Sequence, residues 1–203
     1  MLPRRFTLSL IALASPLLLG FGMRAEADYG VESKRPLSDP HQARIDDRPV
    51  GTWRAIIQEK TYYLHVGTGN IVGQSNWMEL VLVNPGDKPT FYLHHKVGFP
   101  STMGEISFFN VANMSVLISQ LRGSKTEDLV SSVDRYDILK YEVTEDYLDV
   151  WPADQKVVRE AIQAGEVKGS DATIDDTTEN LLRFVKASAP KLFTNKVRYT
   201  RVK

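Results

Sequence analysis

The sequence predicts a mainly β fold with helices (α+β), in which eight or nine antiparallel strands form a barrel or a strongly curved sheet. Three observations carry this. Many short segments are rich in Val, Ile, Tyr, Phe and Thr and alternate apolar with polar residues at a period of two. Tight turns join the early segments, which suits consecutive antiparallel pairing. Segments with helical spacing enter only between the later strands, so most of the sheet has to cover its own edges, and closure is the simplest way to do so.

Residues 1–27 read as a signal peptide. Arg4 and Arg5 form a basic start, 6–23 is mostly apolar, and Ala25-Glu26-Ala27 offers a small-x-small cleavage pattern. A mature chain beginning near Asp28 is therefore expected, exported to the periplasm or the extracellular space. A single membrane anchor is the alternative, because 6–23 would nearly span a bilayer; Pro16 and the cleavage pattern behind the run argue against it. The chain has no Cys, which closes the lipoprotein route. Arg4-Arg5 also resembles the start of a twin-arginine signal, from which Thr7 departs. After cleavage no stable membrane span is expected.

Residues 28–48 are charged and polar with scattered apolar positions, and read as a flexible N-terminal spacer. A single β-rich domain follows over 49–203. Strands are expected at 53–58 and 61–66, a tight hairpin in which Tyr62, Leu64 and Val66 share one face. Further strands are expected at 78–83 and 91–99, joined through Asn84-Pro85-Gly86-Asp87, where Pro presets φ and Gly accepts a positive one. The series continues with 105–111, 136–143, 147–151, a short piece at 172–174, and 197–202.

Three helices are expected near 114–121, 155–164 and 177–189. Asn113 suits the cap of the first and Asp154 that of the second, where Val157, Val158, Ala161 and Ile162 share a face before Gly165. Asp176 with Glu179 forms a capping-box variant for the third, whose apolar spacing runs to Pro190.

The full chain carries 25 basic and 25 acidic residues. Losing Arg4, Arg5, Arg24 and Glu26 with the leader leaves a slight acidic excess, without the clustered basic charge that nucleic-acid binding requires. Without Cys there is no disulfide framework and no thiolate zinc site, so the exported domain relies on its core.

Gly51-Thr52-Trp53, at the entry to the first strand, resembles the Gly-x-Trp signature of the lipocalin-like β-barrel proteins. That resemblance implies an eight-stranded barrel whose narrow end is closed by Trp53. It also implies an Arg near the chain's end packed over the Trp, either Arg198 or Arg201, and a helix before a short last strand. The helices at 114–121 and 155–164 depart from the family pattern, and Trp53 as a core aromatic of an unrelated α+β sheet is the alternative. The segment 136–193 is also similar to uncharacterised exported bacterial proteins, which implies no activity.

The chemistry-bearing residues form no catalytic constellation. Gly-x-Ser-x-Gly is absent, and Ser101, expected on a loop, lacks a strained elbow. Gly67-Thr68-Gly69-Asn70 and Gly73 lack the Lys and helix of a phosphate loop, and Glu142, Glu145 and Asp146 read as a charged turn between strands. His41 falls in the spacer. Alternation groups His95 with Phe91, Leu93, Val97 and Phe99, toward the core or a cavity, and sets His94 with Tyr92 and Lys96 on the other face. His65 could approach His95, but two imidazoles make a poor metal site. No cofactor and no metal are expected.

Two function classes remain. In the first, an exported binding module holds a small apolar or amphipathic ligand in a pocket lined by Phe91, His95, Phe99 and Phe108. In the second, a non-enzymatic envelope domain has a barrel filled by its own side chains and contacts another protein of the envelope. A hollow or filled interior discriminates between them.

Overall fold

The computed structural model describes residues 31–68, 76–85, 91–113 and 133–203. In chain order it contains β1 (Glu32–Ser33), β2 (Gly51–Ile57), β3 (Lys60–Thr68), β4 (Met78–Pro85), β5 (Phe91–Met103), β6 (Ile106–Asn113), β7 (Tyr136–Val143) and β8 (Tyr147–Pro152). Then follow helix α1 (Gln155–Gln163), β9 (Gly169–Ser170), β10 (Thr173–Ile174), helix α2 (Thr178–Leu192) and β11 (Val197–Arg201). The leader, the expected helix at 114–121, the rest of the turn beyond Pro85 and the Gly69 to Gly73 loop lie outside the described residues.

Strands β2 to β8 pair consecutively and antiparallel, β11 pairs with both β8 and β2, and so an eight-stranded antiparallel barrel closes. The short expected strand at 172–174 is β10, which joins no barrel strand but forms a ribbon with β9 and β1 beside β7. Directly opposed residues share a face. The inward face is therefore traced by Trp53, Leu64, Leu82 and His94 across β2 to β5, and the outward face by Thr52, His65, Val81 and His95. A two-residue turn, Gln58-Glu59, joins β2 to β3 with both residues at positive φ (50° and 65°), the sense that the twist of a tight hairpin needs.

Among the described residues, apolar packing lies on both sides of the barrel wall. Inside the barrel lies a cluster that includes Trp53, Val66, Leu80, Phe109, Tyr141 and Leu148. Outside, over β6 and β7, a second cluster joins Phe108 and Ile138 to Val158 of α1 and Leu181, Phe184 and Val185 of α2. Asp154 caps α1, its side chain accepting from Lys156 N–H, and Gly165 follows at φ 73°. Thr177, rather than Asp176, caps α2 by accepting from Asn180 N–H, while Asp176 accepts from Lys168 N–H and Thr177 N–H. That helix continues through Pro190 to Leu192; a proline there costs one hydrogen bond near the helix end, and the extra turn buries Leu192 and Phe193.

The arm before the barrel also differs from the expected spacer. Val31, Ser33 and Leu37 are buried, β1 pairs with β7, and Leu37 N–H donates to the buried Asn110 Oδ1 at 2.7 Å. Few apolar residues suffice for this docking because the barrel's outer face already presents Phe108 and Ile138. Charged composition pointed to solvation, yet the charges stay at the surface, as in Lys34–Asp175 and Arg135–Glu32.

Candidate functional site

One end of the barrel is plugged from the sequence upward. Trp53 is fully buried, its Nε1 donates to the Pro49 carbonyl at 2.7 Å, and the Arg201 guanidinium lies 4.0 Å from its ring centroid. Arg201 also donates to the carbonyls of Glu145, Val50 and Arg48 at 2.7, 2.9 and 3.0 Å. Gly51 permits this arrangement: its φ is 139°, and a Cβ there would lie 2.7 Å from Arg201 Nη1. Arg198, the other candidate for that role, instead grips Asp149 on the outer face through Nε and Nη2 at 2.7 and 2.6 Å. Beneath the plug, Tyr141 stacks on Phe109 at 4.1 Å and donates its hydroxyl to Asp46 at 2.7 Å. Burial pushes the Asp46 carboxyl up, but hydrogen bonds from Arg48 and Tyr141 outweigh it and hold the group below the ordinary value.

The interior also holds unfilled space. A cavity of about 100 Å³ runs between the walls of the barrel, with Leu64, Leu80, Leu82, Phe109, Val111 and Leu139 among its apolar lining. Toward the end away from Trp53 the lining turns polar, with His94, Lys96 and Asp137. Lys96 Nζ and Asp137 Oδ2 are 2.5 Å apart, their side chains 21% and 12% exposed, and the pair joins β5 to β7 across the last residues of β6, with Lys96 opposite Asn113 and Asp137 opposite Val111. Asn84, inward on β4, is buried, and its Oδ1 has no hydrogen-bond partner among the described residues. Apolar walls with a few grouped polar side chains are the composition of small-molecule sites.

No protein-family model matches the chain, and no curated protein or solved structure matches it either.

The residues singled out from the sequence stand elsewhere. His95 keeps the expected phase, but its face is the outside of the barrel, where it is 39% exposed and paired with Glu79. Phe99 is fully buried on that same outer face, against Trp77 at 5.3 Å and Tyr136 at 6.0 Å. Phe108 is fully buried outside the barrel, against Phe193 at 5.6 Å. Phe91 begins β5 opposite Pro85, and its side chain lies outside the described residues. The structure thus brings none of the described three to the cavity. It brings their sequence neighbours His94, Lys96 and Phe109.

Alternation separates two faces of a strand without saying which is inside. On β5 the more apolar face packs outward, because Val97 and Phe99 meet Trp77, Ala112 and Tyr136. The usable signal was Phe108-Phe109: two consecutive large aromatics in one strand mark burial on both faces, hence an apolar layer outside the barrel.

His65 lies across β4 from His95, with Nδ1 3.1 Å from Thr52 Oγ1. Among the described residues no group of three or more His, Cys, Asp or Glu is arranged to hold a metal, and no helix is long and apolar enough to cross a membrane. Ser101 sits in β5 rather than on a loop, and its Oγ accepts from Asn110 Nδ2 at 2.8 Å.

Proposed function

We propose that this chain is an exported binding module of lipocalin-like architecture, which holds a small apolar or amphipathic molecule in the cavity of its barrel. The observation that carries the reading is the apolar cavity of about 100 Å³ with Lys96, Asp137 and His94 grouped at one end. The Gly51, Trp53 and Arg201 arrangement and the helix before the last strand support the architectural part. Arg4-Arg5, the apolar run and Ala25-Glu26-Ala27 support export. N-terminal sequencing of protein from its native host should find a start near Asp28; a retained Met1 rejects the export part.

The binding part is tested by filling the cavity. Leu82→Trp places an indole in the lumen, where it should leave the fold in place and abolish the chemical-shift changes that 1-hexanol causes in lumen methyl groups of the parent protein. A parent that responds to no short-chain alcohol or amide favours the second reading, an envelope domain that works through its surface. One observation speaks for that reading: Ile56 on β2 and Leu93 on β5, both on the outward face of the barrel, are each 69% exposed.

A further inference from the structure

The polar end of the lumen points to the kind of head group the ligand carries. We infer that the site selects an uncharged head that presents a hydrogen-bond acceptor beside a donor, such as a primary amide, on a short apolar tail; this rests on the binding-module reading above. Lys96 and Asp137 form the argument. Their charged atoms are 2.5 Å apart, both side chains line the cavity, and apolar walls adjoin them. Any ligand head at this end therefore meets a cation and an anion together.

A carboxylate head that reached Lys96 Nζ would also stand close to the Asp137 carboxylate. It would have to displace Asp137 or be repelled by it, and either loss is larger beside apolar walls than in bulk water. An ammonium head meets the mirror problem at Lys96. A primary amide avoids both, because its oxygen accepts from Lys96 while its NH₂ donates to Asp137, and it brings no charge of its own. The pair thus discriminates against both signs of charge by repulsion as much as it attracts the neutral head. Tail length follows from volume: since an engineered apolar cavity of roughly 150 Å³ holds the six carbons of a benzene ring, a cavity of about 100 Å³ takes about four carbons of a tail.

The test uses hexanamide, hexanoate and hexylammonium at pH 7 against the mature protein, with binding read from lumen methyl shifts. Hexanamide should bind at least about tenfold more tightly than either ion, since like-charge juxtaposition in a binding site is worth that much or more. Two variants read the pair itself. Asp137→Asn removes the anion beside Lys96 and should turn the preference toward hexanoate; Lys96→Met removes the cation and should turn it toward hexylammonium. Thermal unfolding shows whether each variant is folded, and if either is not, the ligand series on the parent decides alone. Hexanoate binding the parent as tightly as hexanamide overturns the head-group inference and leaves the binding module standing. If none of the three, nor 1-hexanol, shifts any lumen resonance, both fail together.

Discussion

At Trp53 three interactions meet: full burial, a hydrogen bond to the Pro49 carbonyl and a guanidinium 4.0 Å from the ring centroid. Trp53→Ala should cost roughly 3 to 5 kcal/mol, the range for large aromatic truncations in a core, measured as the change in urea unfolding free energy. A loss below about 1 kcal/mol, typical of a surface position, would mean that the plug contributes little. Acid stability belongs to this scale too. Asp149 is held below the ordinary carboxylate value by the Arg198 guanidinium, against burial and with help from Lys196, and Asp46 is held down as described. A lowered folded-state pKa adds stability that is complete above the unfolded value, about 3.9, and is lost as pH falls through the folded value. The urea midpoint should therefore drop below about pH 4, and less steeply in an Asp46→Asn, Asp149→Asn double variant. At the other extreme, burial pushes the Tyr136 phenol up to about 12, so stability should decline as pH rises from the unfolded value near 10.

At the scale of elements, the hairpin between β2 and β3 carries visible strain. Gln58 and Glu59 both occupy positive φ, which side chains with a Cβ resist and Gly accepts. Glu59→Gly should raise stability by about 0.5 to 1 kcal/mol if relief of strain exceeds the entropy Gly adds to the unfolded chain; a lower melting temperature in the variant would show that the entropy wins. Gly98 is the opposite case. A Cβ there would lie 2.5 Å from the Asn110 carbonyl oxygen, so β5 and β6 approach as they do only because the residue is Gly. Strand β5 runs for thirteen residues from Phe91 to Met103, longer than the expected 91–99, since the close approach at Gly98 allows pairing to continue up to Met103 opposite Ile106. In the helices, Asp154 and Gly165 were legible as punctuation because cap chemistry is local, whereas the end of α2 was not, because burial of Leu192 and Phe193 outweighs what Pro190 costs.

Over the whole molecule, the arm and the two described helices wrap the barrel across β6 and β7. The arm supplies Val31 and Leu37 to the layer that also holds Phe108, Phe184 and Val185, so a chain shortened to begin at Pro49 should lose several kcal/mol, at about 1.5 to 3 kcal/mol for each fully buried aliphatic side chain. An unchanged melting temperature in that truncation would return the arm to the role of spacer. What the sequence determined by itself was local in origin. Alternation located the strands, Gly51-Thr52-Trp53 located the entry to the barrel, and Asp154 located a helix start, because each depends on residues within a few positions of one another. Tertiary structure decided which face of each strand is inside. The choice between His94 and His95 for the lumen depends on what covers the far side of β5, and that cover comes from other segments of the chain, as Trp77, Ala112 and Tyr136 packed against Val97 and Phe99 record. A period of two fixes parity; only packing against distant segments fixes sign.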